Sequence, residues 1–140
     1  MSNRIELLAP AKDLAKAKIA IMYGADAVYV GGKRFSLRSR ASNFTTEDLV
    51  ELVSFAKAYR AKVYVTVNIV FHDEDIYGVR EYLEELQEIG VDGIIVTSLG
   101  LMTLCRSIAP RLECHISTQL SSANSGAVET LASFGADRVV

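Results

Sequence analysis

Cysteine is scarce in this sequence, with two in 140 residues. Two cysteines cannot build the disulfide framework of a small secreted domain, so a reducing, cytoplasmic setting is expected. Cys105 and Cys114 show no CxxC spacing and no Cys/His cluster, so these residues carry no metal or iron–sulfur signature, and both read as buried small hydrophobes. Proline (2) and glycine (9) are too few for a fibrous or low-complexity chain. Charge of one sign is also lacking: the net charge of −2 means that the surface as a whole is no magnet for nucleic acid. No apolar run approaches the roughly 20 residues needed to span a bilayer, and no apolar leader follows Met1–Arg4.

What is present is apolar sequence in regular order. Half of the residues are hydrophobic, 23% are charged and the mean hydropathy is +0.22, which excludes disorder and allows a real core for one domain over 1–140. Short β-branched runs alternate with stretches of helical periodicity. Strands are expected at Ile5–Ala9, Asp26–Val30, Lys62–Asn68, Gly93–Val96, Glu113–Ser117 and Asp137–Val140. Helices are expected at Asp13–Tyr23, Thr46–Tyr59, Glu74–Ile89, Leu99–Ile108 and Ala123–Phe134. Thr45 or Thr46 is the N-cap of the second helix, with Glu47 and Asp48 at its positive end, and Pro110 stops the fourth.

An internal repeat runs through this pattern. Gly24-Ala25-Asp26 recurs as Gly90-Val91-Asp92 and as Gly135-Ala136-Asp137, ahead of strands two, four and six. Each Gly can take the left-handed conformation after a helix, and each Asp can accept backbone N–H bonds in the turn. These carboxylates precede strands, on the face of an α/β barrel that serves stability.

A β-α repeat implies a parallel sheet with right-handed crossovers. Two architectures satisfy it: a complete flavodoxin-like doubly wound sheet, or the first five to six units of a TIM-like (β/α)8 barrel, about 250 residues when whole. Strand polarity favours the barrel. Val63, Val65 and Val67 share one face of strand three while Tyr64, Thr66 and Asn68 share the other, and Cys114 and Ile116 oppose His115 and Ser117. A doubly wound sheet needs both faces apolar, whereas a lumen tolerates one polar face.

In either architecture the site lies at the C-terminal ends of the strands. Lys33, Arg34, Arg38 and Arg40 crowd the loop after strand two, with Phe35 and Phe44 beside them. They could grip phosphates, an anionic substrate or RNA, with the aromatics as stacking surfaces; the plainer reading is a solvated loop pinned by two Phe anchors. Gly31-Gly32 permits close backbone approach but is no dinucleotide fingerprint. His115 and Ser117 point the same way with no orienting carboxylate in view, a poor start for a nucleophilic pair, and His72-Asp73 is a further candidate base. Glu6 points into the lumen near its closed end, where it would pair with a buried Lys or Arg.

Glu6–Ala11, Tyr23–Gly32, Phe35-Ser36-Leu37-Arg38, Asn43-Phe44, Val63–Asn68 and Ser117-Thr118-Gln119 with Asn124, in that order, resemble the peptidase U32 family of collagenase-like proteases. One departure is Lys12, where the family commonly has Gly after its Ala-Pro-Ala turn. The resemblance implies a TIM-like barrel at the N-terminus of a longer protein. It also implies one of two activities: the peptidase activity of the family's name, or hydroxylation of tRNA, ribosomal RNA or ubiquinone precursors. In the hydroxylation branch cysteines bind an iron–sulfur cluster; the family's cysteine signature lies downstream of the segment matched here, so no cluster ligand carries over to Cys105 or Cys114. Within a U32 enzyme, Arg34, Arg38, Asn43, Asn68, Ser117 and Gln119 would form one wall of the substrate site, with no catalytic residue assigned. The alternatives from other classes are a catalytically inert fragment that self-associates through exposed sheet edges, and a phosphate-handling metabolic barrel.

Overall fold

The computed structural model describes residues 5–37 and 44–140. Six strands alternate with five helices in chain order: β1 (Leu8–Pro10), α1 (Leu14–Met22), β2 (Ala27–Gly31), α2 (Thr46–Ala58), β3 (Lys62–Val67), α3 (Ile76–Ile89), β4 (Gly93–Val96), α4 (Leu99–Ile108), β5 (Glu113–Ile116), α5 (Ser125–Ser133) and β6 (Arg138–Val139). Every adjacent pair is parallel and the spatial order is β1-β2-β3-β4-β5-β6. A doubly wound sheet would place a later strand on the other side of β1, so this order excludes the flavodoxin-like alternative and leaves the curled half of a TIM-like barrel.

Local chemistry explains most boundaries. Thr45 is the N-cap of α2: it accepts the Asp48 N–H while the Asp48 carboxylate accepts the Thr45 N–H, a complete capping box. Asp13, Ser98 and Asn124 cap α1, α4 and α5 in the same way with one side-chain acceptor each. The Asp73–Asp75 stretch forms a separate 3-10 turn, so α3 begins at Ile76 rather than Glu74. The first strand is shorter than its sequence pattern, because Ile5–Leu7 lie ahead of the paired register that starts at Leu8↔Ala27.

The two faces of the sheet differ as the alternation predicts. Val28, Val30, Val63, Val65, Val67, Ile94, Val96, Cys114 and Ile116 pack outward against helix residues such as Leu52, Leu83, Leu86 and Met102 in the main core. Ala27, Tyr64 and Ile95, with Leu8 and Tyr29 against them, form a second, smaller cluster inside the curl.

The repeated Asp residues are clasps between strands. Leu7, Val63 and Cys114 donate their N–H groups to Asp26, Asp92 and Asp137 at 2.9, 2.8 and 2.8 Å. The N–H of each Asp returns a bond to the carbonyl of the same partner at 2.9, 3.0 and 3.0 Å. The acceptors therefore serve the preceding odd-numbered strand rather than their own turn. Gly24, Gly90 and Gly135 let the chain reach this position, with φ of 105°, 88° and 101°.

Candidate functional site

The C-terminal ends of β1 to β5 open on a cavity of about 420 Å³ lined by Leu8, Tyr29, Thr66, Asn68, Ile95, Ser117 and Gln119, among others. A second, more polar hollow of about 380 Å³ adjoins it and shares Asn68 and Gln119. Period-2 alternation puts these side chains there: Thr66 in β3 and Asn68 just past its end point to the lumen side, and so do His115 in β5 and Ser117 just past its end.

Three of the sequence-selected residues meet at this mouth. Asn68 Nδ2 donates to Gln119 Oε1 at 3.0 Å, and Ser117 Oγ donates to the same oxygen at 3.3 Å. Asn68 is itself fixed from two sides: its N–H reaches the Phe35 carbonyl at 2.9 Å and its Oδ1 accepts the Leu37 N–H at 3.1 Å. Beneath them Ser36 and Thr66 share a buried hydroxyl–hydroxyl bond of 2.8 Å. The loop after β2 is thus tied to β3 and the residue that follows it by three hydrogen bonds.

Arg34 lies elsewhere. It donates to the Gly78 carbonyl at 3.1 Å, stands 3.7 Å from Glu85 and covers the rings of Phe35 and Tyr82 at 5.4 and 5.2 Å. It lines a smaller pocket with Lys33, Phe44 and Tyr82, not the lumen cavity. Arg38, Arg40 and Asn43 lie outside the described residues. Phe44 is buried in the core and Phe35 packs on Phe71 and Tyr82, so both act as anchors of the loop rather than as open stacking surfaces. A side chain at Gly32 would collide with the Tyr82 hydroxyl, which explains the second glycine. Burial pushes the Tyr82 phenol up to about 12.

The floor of the lumen holds a polar cluster, of which the sequence pointed to Glu6, Tyr64 and His115 but not to Lys62, Glu113 or Arg138. Glu6 pairs with Arg138 and accepts the Tyr64 hydroxyl at 3.0 Å, while Lys62 reaches Glu113 at 3.0 Å. His115 is 1% exposed, its Nε2 lies 2.9 Å from Glu113 and its ring meets Tyr64 edge-on at 4.5 Å. The bond from Arg138 holds the Glu6 carboxyl below its ordinary value. Burial alone would raise Glu113, but its bonds from Lys62 and His115 outweigh that and hold it low. Burial pushes His115 down despite Glu113. The signal for this cluster was present in strand parity: Lys62 and Tyr64, Glu113 and His115, and Arg138 all fall on lumen positions of paired strands.

This arrangement separates His115 from Ser117. The carboxylate that orients His115 is Glu113, two residues upstream on the same strand, and it holds the ring toward the floor, while the Ser117 hydroxyl is committed to Gln119. His72 is exposed and serves as the cap residue of the 3-10 turn, its N–H bonded to Asp75 at 2.9 Å. Cys105 and Cys114 meet in the helix-side core, where the bond to the Cys114 sulfur and burial push the Cys105 thiol up. These two buried thiols, away from the C-terminal ends of the strands, are too few for a four-thiolate iron–sulfur cluster, and no group of three or more metal-binding side chains forms among the described residues. No helix among those residues is long and apolar enough to cross a membrane.

The model of peptidase family U32 matches residues 12–140. The tRNA hydroxylation protein P1 of Bacillus subtilis (strain 168) is 49% identical over 140 residues, which is 100% of this chain and 33% of that protein. The 23S rRNA 5-hydroxycytidine C2501 synthase of Escherichia coli (strain K12) is 45% identical over 118 residues, covering 84% of this chain and 18% of that protein. The chain thus spans a third or less of these relatives. A solved U32 peptidase superposes with a TM-score of 0.75 at 14% identity, covering 99% of this chain and 59% of that one, a likeness of fold alone.

Proposed function

This chain belongs to peptidase family U32, and from that premise we propose that it is the barrel-forming segment of an RNA-hydroxylating protein, whose lumen mouth receives a nucleobase of the RNA. The observation that carries this reading is the Asn68–Gln119–Ser117 network beside Tyr29, Leu8 and Ile95: a partly apolar pocket with a few fixed polar groups suits a planar base. The hydroxylation proteins named above, which act on tRNA and 23S rRNA, support it. Lys33 and Arg34 line a separate pocket, and together with Arg38 and Arg40, which follow them in the sequence, they supply cationic groups for the phosphates that flank the base. The peptidase reading draws less support, because Ser117 and His115 point to different partners. Cofactor chemistry, an iron–sulfur cluster included, belongs in this proposal to residues outside this chain.

Fluorescence anisotropy with a short single-stranded RNA of mixed sequence tests the proposal. Binding should weaken in Arg34→Ala and in Arg38→Ala, and each lost phosphate contact should lower the salt slope by about 1. Unchanged binding in both variants, or gelatin cleavage without RNA binding, overturns it. The sheet edges at β1 and β6 are a second place for partners, and we include self-association through them in the proposal. Light scattering after size exclusion should then show a mass that rises with concentration; a monomer throughout removes that part.

A further inference from the structure

Gln119 presents a hydrogen-bonding polarity that is decided 82 positions away in the sequence, at Leu37. A backbone N–H can only donate, so the atom that meets the Leu37 N–H at 3.1 Å must be the Asn68 carbonyl oxygen. The other end of the Asn68 amide is therefore NH2, and the Gln119 atom that it reaches at 3.0 Å must be Oε1. Ser117 Oγ donates to that same oxygen at 3.3 Å while accepting the Gln119 N–H at 3.3 Å. Both lone pairs of Oε1 are then engaged. The outer face of the Gln119 amide is its NH2, which has no partner among the described residues and stands where the two hollows at the strand ends join.

From this we infer that Gln119 is a specificity-determining residue: it selects a ligand that places a hydrogen-bond acceptor, a ring carbonyl or carboxylate oxygen, against its NH2, and it disfavours an amino group there. A ligand that offers a donor would face N–H against N–H, and the amide cannot rotate to suit it without breaking its bonds to Asn68 and Ser117. The neighbouring Leu8 and Ile95 are apolar, and the Asn68 amide and Ser117 hydroxyl are already engaged by Gln119. The inference deepens the nucleobase reading of this cavity and rests on it only in the choice of a nucleoside as first probe.

The test is a titration of the isotopically labelled protein with uridine and, separately, with benzoate, read on the side-chain amide resonances of Gln119 and Asn68. Gln119→Glu keeps an accepting oxygen for Asn68 and Ser117 but turns an acceptor outward. Asn68→Asp keeps the acceptor for Leu37 but offers Gln119 an oxygen, so that its amide must reverse. The expected result is that uridine shifts the Gln119 NH2 signals and that each variant weakens uridine binding about tenfold, with the remaining spectrum folded. A shift with benzoate but not uridine would uphold the acceptor preference and remove the nucleobase reading. Gln119 signals unmoved by both probes, or uridine binding unchanged in Gln119→Glu, would overturn the inference.

Discussion

The Arg138 guanidinium forks onto Glu6, with Nη1 at 2.6 Å from Oε1 and Nη2 at 3.4 Å from Oε2. The two residues are 132 positions apart and belong to opposite edges of the six-stranded sheet, Arg138 in β6 and Glu6 just ahead of β1. Only a strongly curled sheet brings its edges within reach of one ion pair. Tyr64 completes the contact from the middle of the sheet, donating to Glu6 at 3.0 Å beneath the Arg138 cation, 5.4 Å from its ring centre. The pair is part-exposed, so it orients the curl more than it stabilises it.

Acid should loosen this floor. Glu6 ionises below its ordinary value of 4.5, so its contribution is present above that pH and is lost as pH falls through the lower folded-state value. Arg138→Met is expected to cost about 1 kcal/mol at pH 7 and to flatten the stability curve below pH 4.5, checked by urea melts across pH. An equally steep curve in the variant would place the acid sensitivity elsewhere.

His115 should remain neutral below its ordinary value of 6.5. A histidine with a depressed folded-state value stabilises above the unfolded value, and stability is lost as pH falls below 6.5 toward the folded one. Ring-nitrogen chemical shifts should report an Nε2–H tautomer that persists under mildly acidic conditions, and His115→Gln should remove that part of the pH dependence. Titration of the ring at or above 6.5 would contradict the burial argument.

Asp92 separates a hydrogen bond from a charge. Burial raises its carboxyl above 3.8, so ionisation costs stability as pH rises, while the bond to the Val63 N–H contributes. Asp92→Ala leaves the buried N–H unpaired and should cost about 1–3 kcal/mol. Asp92→Asn keeps an acceptor without the charge and should cost much less. Equal losses in the two, measured by thermal and urea unfolding, would assign the effect to charge instead.

Gly93 is required by strand approach. A Cβ there would stand 2.8 Å from the Glu113 carbonyl and 2.9 Å from its Cβ, so backbone must move. Gly93→Ala should destabilise by about 1–3 kcal/mol and broaden resonances of the Glu113–His115 stretch. A neutral outcome in chemical unfolding would mean that β4 and β5 separate at little cost.

Much of this was legible in the residues because strands and helices announce themselves by period. Alternation in Val63–Asn68 and Cys114–Ser117 assigned the two faces of the sheet, and the Gly-x-Asp repeat marked the turns before β2, β4 and β6, because both signals depend only on near neighbours. The resemblance to peptidase U32, carried by motifs such as Ser117-Thr118-Gln119, was also readable, and the family match agrees with it.

Tertiary structure decided what depends on distance between elements. It sent Arg34 to Gly78 and Glu85, gave Glu113 to His115, brought Arg138 to Glu6 and aimed the Asn68 amide at Gln119. The physical reason is that periodicity sets which face a side chain occupies, whereas its partner is set by sheet curvature and strand register, and these emerge only when the strands pack.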